Sequence, residues 1–318
     1  MTVLSRTFAA FVVVAQASAC SSSAVTVPPT PVGEIRESVP LSARPYGLAV
    51  AGNSAFVTQL DTATVTRLAL SEPASTQSRL AVGAIPTGVA VTPDGGLMLV
   101  ASQDGSVGLI DVATSGQTLF RTSGSPFRAI VSRDGRRGYV TTSAGEILSV
   151  DLMARRLLGS INIGSPANGL ALSSDETRLF VSSVYGGITI VDVGSFKIAR
   201  QLDVPGQLQE VVVAPDGSEL YVADEGGRLV VVPLAGGAIT SVPMPGAFGM
   251  ALSLDGTQLW ITQPVVGAIT TVDRGTLAVI RTIPVPRGAG TGVPRRIAFT
   301  SGGLAVVTDE AGSVHIIR

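Results

Sequence analysis

The stretch Val89-Ala90-Val91-Thr92-Pro93-Asp94-Gly95 carries an apolar run into a Pro-Asp-Gly turn, and it returns along the chain with little change. It reappears as Val211-Val212-Val213-Ala214-Pro215-Asp216-Gly217 and, without the proline, as Met250-Ala251-Leu252-Ser253-Leu254-Asp255-Gly256. Related versions stand at Ile130-Val131-Ser132-Arg133-Asp134-Gly135 and Leu170-Ala171-Leu172-Ser173-Ser174-Asp175, with degenerate ones at Leu48 to Asn53 and Ile297 to Gly302. The turn positions 53, 94, 134, 175, 216, 255 and 302 define seven units with a period near 41 residues. A fixed period in the range of about 20 to 50 residues is the mark of a repeat architecture.

Each unit divides into four short strands. After the Asp-Gly turn comes an aromatic-aliphatic run such as Tyr139-Val140-Thr141-Thr142, Phe180-Val181-Ser182 or Trp260-Ile261-Thr262. A second tight turn follows (Asp104-Gly105, Gly186-Gly187, Gly226-Gly227), then a third strand ending on Asp111, Asp151, Asp192 or Asp273, and a fourth that leads to the next unit. Tight turns between short β-branched runs are hairpin signals. Four antiparallel strands repeated seven times predict an all-β, seven-bladed β-propeller over residues 33–318. The last unit stops at its third strand, Val314 to Ile317, while Glu34 to Pro40 looks like a fourth strand that precedes the first unit. The expectation is that this N-terminal strand closes blade seven and removes an open sheet edge.

The pattern Pro-x-Gly-Val-Ala-Val-x-Pro-Asp-Gly, followed by a Tyr-Val-Thr-like strand, resembles the YVTN family of seven-bladed β-propeller repeat proteins over residues 33 to 318. Tyr139-Val140-Thr141-Thr142 comes nearest to the tetrapeptide that names the family. The resemblance implies the propeller fold and an exported binding or scaffold role; some proteins of similar shape are lactonases.

Residues 1–19 read as a secretory signal: Arg6, the apolar run Phe8 to Ala15, then the small-x-small cleavage pattern Ala17-Ser18-Ala19. Cys20, the single cysteine of the chain, follows at the position of a lipidated cysteine, with Ala17 where a lipoprotein signal usually has leucine. Residues 20–32 form a Ser/Thr/Val/Pro-rich tether. The expected location is the periplasm or outer membrane, lipid-anchored if Cys20 is modified and secreted otherwise, with membrane contact only through that anchor.

Of 318 residues, Lys and Arg number 22 against 23 Asp and Glu, so the net charge of -1 creates no field that implies nucleic acid. One cysteine and one histidine, His315, exclude a disulfide framework and most zinc sites. No metal or cofactor is implied, and the chain is expected to be a monomer. His315 has no serine or aspartate arrangement around it that sequence identifies. Asp94, Asp134, Asp175, Asp216 and Asp255 are turn residues that bond their own backbone. The pairs Asp224-Glu225 and Asp309-Glu310 read as solvated turns rather than calcium ligands.

Six residues before each turn the repeat calls for glycine, supplied by Gly47, Gly88, Gly169 and Gly249, because blades crowd near the axis. The other three units place Arg128, Glu210 and Arg296 there, and one residue before the seven positions stand Tyr46, Thr87, Phe127, Asn168, Gln209, Phe248 and Arg295. Forked guanidinium hydrogen bonds beside one carboxylate suit a small anionic ligand; the same three groups could equally pair among themselves and plug the channel. The last interval, from 255 to 302, is longer than the others, and its surplus falls in Arg287 to Gly292, read as a flexible loop and a candidate gate at the same mouth.

Two functions follow as expectations. The first is a non-enzymatic binding or scaffold module for a protein, peptide, cell-wall or small anionic ligand. The second is a lactonase-like hydrolase with Glu210 as base and the arginines holding the substrate. Expressed in a bacterial host, the chain should incorporate labelled palmitate and Cys20→Ser should not; equal labelling of the two, or none in the wild type, refutes the anchor.

Overall fold

The computed structural model describes residues 33–318 except Ser42, Gly288 and Ala289. The expected signal, tether and Cys20 lie outside the described residues. Within them are seven antiparallel sheets of four strands each, and no helix. Blade 1 runs from the axis outward through Pro45–Ala51, Ser54–Gln59, Thr64–Ala69 and Ser75–Ala81. Blades 2 to 6 repeat this order. Blade 7 takes Pro294–Phe299, Ala305–Asp309 and Ser313–Ile317 from one end of the domain and its outermost strand, Ile35–Pro40, from the other. That strand pairs antiparallel, with Ile35 opposite Ile317 and Val39 opposite Val314. The architecture is a seven-bladed β-propeller, closed as the sequence predicts.

One side chain per blade explains how the sheets stack. The second strands carry Phe56, Leu99, Tyr139, Phe180, Tyr221, Trp260 and Val306 at one repeat position, all fully buried. Each packs with its successor blade: Phe56 clusters with Val89, Met98 and Val100, Phe180 with Leu208, Val211 and Leu220, and Trp260 with Ile297, Ala305 and Val307. The same holds where the ring closes, with Val306 packed on Leu48 and Val57 of blade 1. Each interface between blades therefore has a core of its own, and burying such a side chain contributes about 1.5–3 kcal/mol.

The turns behave as their residues dictate. Thr92 Oγ1 donates to Asp94 at 2.5 Å, Ser132 Oγ to Asp134 at 2.6 Å and Ser173 Oγ to Asp175 at 2.6 Å. The Ser173 hydroxyl and the Thr177 amide draw the Asp175 carboxyl down to about 2. The aspartates ending third strands cap the next turn in the same way, Asp192 accepting from Ser195 N at 2.7 Å and Asp273 from Thr276 N at 2.8 Å.

Two readings of the loops require correction. Arg287 to Gly292 does not read as an open flexible loop in its described part. Pro286–Arg287 pairs with Gly290–Thr291 as a short ribbon, and Gly292 N donates to Val285 O at 2.9 Å. Asp224 and Asp309 are not solvated: each is 1% exposed. Asp224 accepts from Gln207 N at 2.8 Å and Gly226 N at 3.0 Å, and Asp309 from Val293 N at 2.6 Å and Ala311 N at 3.0 Å. A buried loop amide needs an acceptor, and these carboxylates supply it.

His315 has partners that its sequence neighbourhood does not show. It lies opposite Ser38 on the closing strand, with Ser38 Oγ 2.8 Å from Nδ1 and Asp309 Oδ2 3.3 Å from Nε2. The partners are distant in sequence and meet only through ring closure, so no local motif announces them.

A chain starting at Leu41 loses the outer strand of blade 7 and bares the edge of Ser313–Ile317. It should melt at lower temperature and associate edge to edge. Unchanged melting and a monomeric elution profile in gel filtration would place the seam elsewhere.

Candidate functional site

The glycine rule at the axis has a specific obstacle behind it. A Cβ on Gly47 would stand 2.5 Å from Thr87 O, on Gly88 2.5 Å from Phe127 O, on Gly169 2.6 Å from Gln209 O and on Gly249 2.2 Å from Arg295 O. Each of these carbonyls belongs to the next blade. Hydroxyls of the second strands join the same neighbours: Thr141 Oγ1 accepts from Arg128 N at 3.1 Å and donates to Asn168 O at 2.9 Å. Thr308 Oγ1 likewise accepts from Arg296 N at 3.0 Å and donates to Tyr46 O at 2.7 Å. Ser182 and Thr262 repeat the pattern. These hydroxyls stitch neighbouring blades around the channel; the sequence shows them as Thr or Ser at one repeat position, a signal overlooked beside the aromatic residues.

Arg128, Glu210 and Arg296 meet at the axis. Arg128 Nη2 donates to Glu210 Oε2 at 2.8 Å and Arg296 Nη1 to the same oxygen at 2.7 Å. Arg296 is 2% exposed and Glu210 3%, so solvent reaches neither to a useful extent. Two guanidiniums on one carboxylate leave an excess positive charge in the interior. Burial, and then the charge of Arg128, push the Arg296 guanidinium below its usual range, with Glu210 and Tyr46 pulling the other way. Nε and Nη2 of Arg296 and Nε of Arg128 have no hydrogen-bond partner among the described residues.

Aromatic faces stand in for the missing acceptors. The Arg296 guanidinium carbon lies 4.9 Å from the Phe248 ring centroid, 5.7 Å from Tyr46 and 5.7 Å from Phe127. Tyr46 meets Phe127 and Phe248 edge-on, at 6.2 Å in each case, so the rings form a cage. Attraction of a cation to a ring face grows to about 2 kcal/mol or more when water is excluded. Arg295 stacks on the outer side of the cage, 4.8 Å from Phe248 and 5.6 Å from Tyr46, and its guanidinium bonds Glu310, which also holds Arg44. Burial raises the Tyr46 phenol above its ordinary value against the pull of Arg296 and Arg295.

A cavity of about 380 Å³ opens beside this cage, on the side of blades 2 to 5. Tyr46, Phe127 and Phe248 form its apolar part together with Pro166, Ala167 and Val184. Its polar lining is Gln103, Ser125, Ser143, Asn168 and Gln209, and none of the lining residues is charged. The structure therefore divides the residues singled out in the sequence. Tyr46, Phe127, Asn168, Gln209 and Phe248 line the cavity; Arg128, Glu210 and Arg296 lie outside its lining and bond one another, and Arg295 is tied to Glu310. Gln103, Ser125 and Ser143, which sequence reasoning missed, sit on turns and connecting loops that bear no repeat signature.

No protein-family model matches the sequence, and no curated protein does. Among solved structures the chain is similar to one from Kuenenia stuttgartiensis hydrazine synthase, with a TM-score of 0.79 and 19% identity, covering 88% of this chain and 96% of that one. Identity this low speaks for the fold alone.

Removing the carboxylate from the buried cluster leaves two uncompensated cations. Glu210→Ala should lower unfolding free energy by about 3–5 kcal/mol, measured by denaturant titration. Arg128→Met, which relieves the excess positive charge, should be far milder. Equal effects of the two variants would contradict the charge balance described.

Proposed function

We propose that this protein is a non-enzymatic binding β-propeller of the bacterial cell envelope, exported by residues 1–19, held through lipid on Cys20, and engaging its ligand at the channel mouth. One observation carries the reading. Residues that depart from the repeat gather at one mouth, where Tyr46 and Phe248, packed over the buried Arg296, form a buried floor and Phe127, Gln103, Ser125 and Ser143 line the cavity above it. Its volume of about 380 Å³ falls within the range of about 300–1,000 Å³ usual for small-molecule sites. The likeness of the repeat to YVTN proteins supports export and a binding role; the likeness to a hydrazine synthase chain adds the fold only.

The hydrolase reading changes its footing. Glu210 offers Oε2 to two guanidiniums and meets almost no solvent, so a substrate has no approach to it as a base. The line Ser38, His315, Asp309 is the arrangement that favours hydrolysis instead, with Ser38 on the outermost strand of blade 7 and its partners buried.

Ser143 lies exposed on a turn at the mouth, so Ser143→Trp should fill the cavity without touching the core. Immobilised wild type and an outer-strand control, Leu119→Ser, should retain a component of soluble cell-envelope extract that Ser143→Trp loses, read by mass spectrometry. Equal retention by Ser143→Trp moves the site off the mouth. Fluorophosphonate labelling of wild type that vanishes in Ser38→Ala assigns hydrolysis in place of binding.

A further inference from the structure

Resting on the mouth cavity as the binding site, we infer that its ligand is a neutral saccharide, bound by stacking on Phe127 and by hydrogen bonds to Gln103, Ser125 and Ser143. The inference starts from what the lining lacks and what it offers. No charged side chain lines the cavity. The nearest cations are committed elsewhere, Arg296 to Glu210 and the aromatic cage and Arg295 to Glu310. A carboxylate or phosphate entering here would surrender its hydration with no lining charge to replace it.

The polar groups are oriented in a chain. Glu225 Oε2 accepts from Gln209 Nε2 at 2.6 Å, Gln209 Oε1 accepts from Asn168 Nδ2 at 2.5 Å, and Asn168 Nδ2 also donates to Leu208 O at 3.2 Å. Both donors of the Asn168 amide are thereby spent inside the protein. Its Oδ1 is left buried and without a partner among the described residues, while the residue as a whole is 3% exposed. Sealed in this way, the amide is fixed in one orientation, and hydrogen bonds to a ligand fall to the more exposed Gln103, Ser125 and Ser143. Beside it Phe127, half-buried, presents the part of its ring that the cage does not cover. An aromatic face attracts the weakly positive C–H groups on one side of a sugar ring, and the hydroxyls on that ring's rim are donors and acceptors at once, matched to Ser125, Ser143 and Gln103.

A peptide is the less suited ligand. Peptide recognition commonly uses an open sheet edge or a charged nest for a chain terminus; this cavity is lined by turns and by side chains with no net charge.

The full described domain can be titrated by calorimetry with N,N′-diacetylchitobiose, cellobiose and maltotriose, beside citrate and trialanine. At least one neutral sugar should bind, Phe127→Ala should weaken it by at least about ten-fold, and Ser143→Trp should abolish it; Ser143→Trp should melt close to wild type, and Phe127→Ala, which also uncovers Arg296, at lower temperature but still in one cooperative transition. Citrate or trialanine binding that the two variants abolish would leave the mouth as the site and overturn the saccharide. Sugar binding undiminished in both variants overturns the mouth itself as the site. No binding of any sugar by folded wild type overturns the inference, whereas retention of an envelope component lost in Ser143→Trp would still uphold the mouth.

Discussion

At the channel axis four backbone carbonyls each stand 2.2 to 2.6 Å from where a Cβ would be on the glycine of the preceding blade. That approach decides what the axis can hold. Glycine satisfies it without adjustment. A residue with a side chain stands there only in blades 3, 5 and 7, as Arg128, Glu210 and Arg296. Because those three side chains then share one narrow space, they had to be mutually compatible in charge and length, and the aromatic residues one step earlier had to close over them. The buried ion cluster, its cage and the cavity beside it are consequences of the same crowding.

The cage gives Tyr46, Phe127 and Phe248 two tasks. Their faces toward Arg296 hold a cation whose remaining nitrogens lack acceptors; Phe127 also presents surface to the cavity. A buried charge network is seldom a strong source of net stability, but it fixes geometry. Rotating any of the three rings would uncover the guanidinium, so the cavity floor is held in one arrangement and a ligand meets a surface that needs no reordering.

The repeat made the blade count, the strand order and the closing strand legible, because hydrophobic periodicity and turn residues act locally and recur seven times. It also marked Arg128, Glu210 and Arg296, since they break a rule that the other units obey. What it could not convey was depth. Whether a residue at the axis faces a cavity or lies beneath one depends on neighbours from three or four blades, and Phe127 and Arg128 differ in that respect although they are adjacent. Gln103, Ser125 and Ser143 stayed hidden because turn residues at the mouth carry no periodic constraint. Ser38, His315 and Asp309 stayed hidden because the contact between the first two spans 277 positions.

That long-range pairing also governs how the domain reaches its native state. Six of the blades are made from consecutive hairpins and can form locally as each unit becomes available. The remaining sheet joins Ile35–Pro40 to Ser313–Ile317, so its loop-closure entropy falls due only after every intervening unit has been ordered or at least brought into position. Topologies dominated by such distant contacts fold slowly. Until the two segments meet, the ring remains an open arc with unpaired backbone at one side, which makes closure the step at which a folding helper or a waiting partner strand would have the greatest influence on yield.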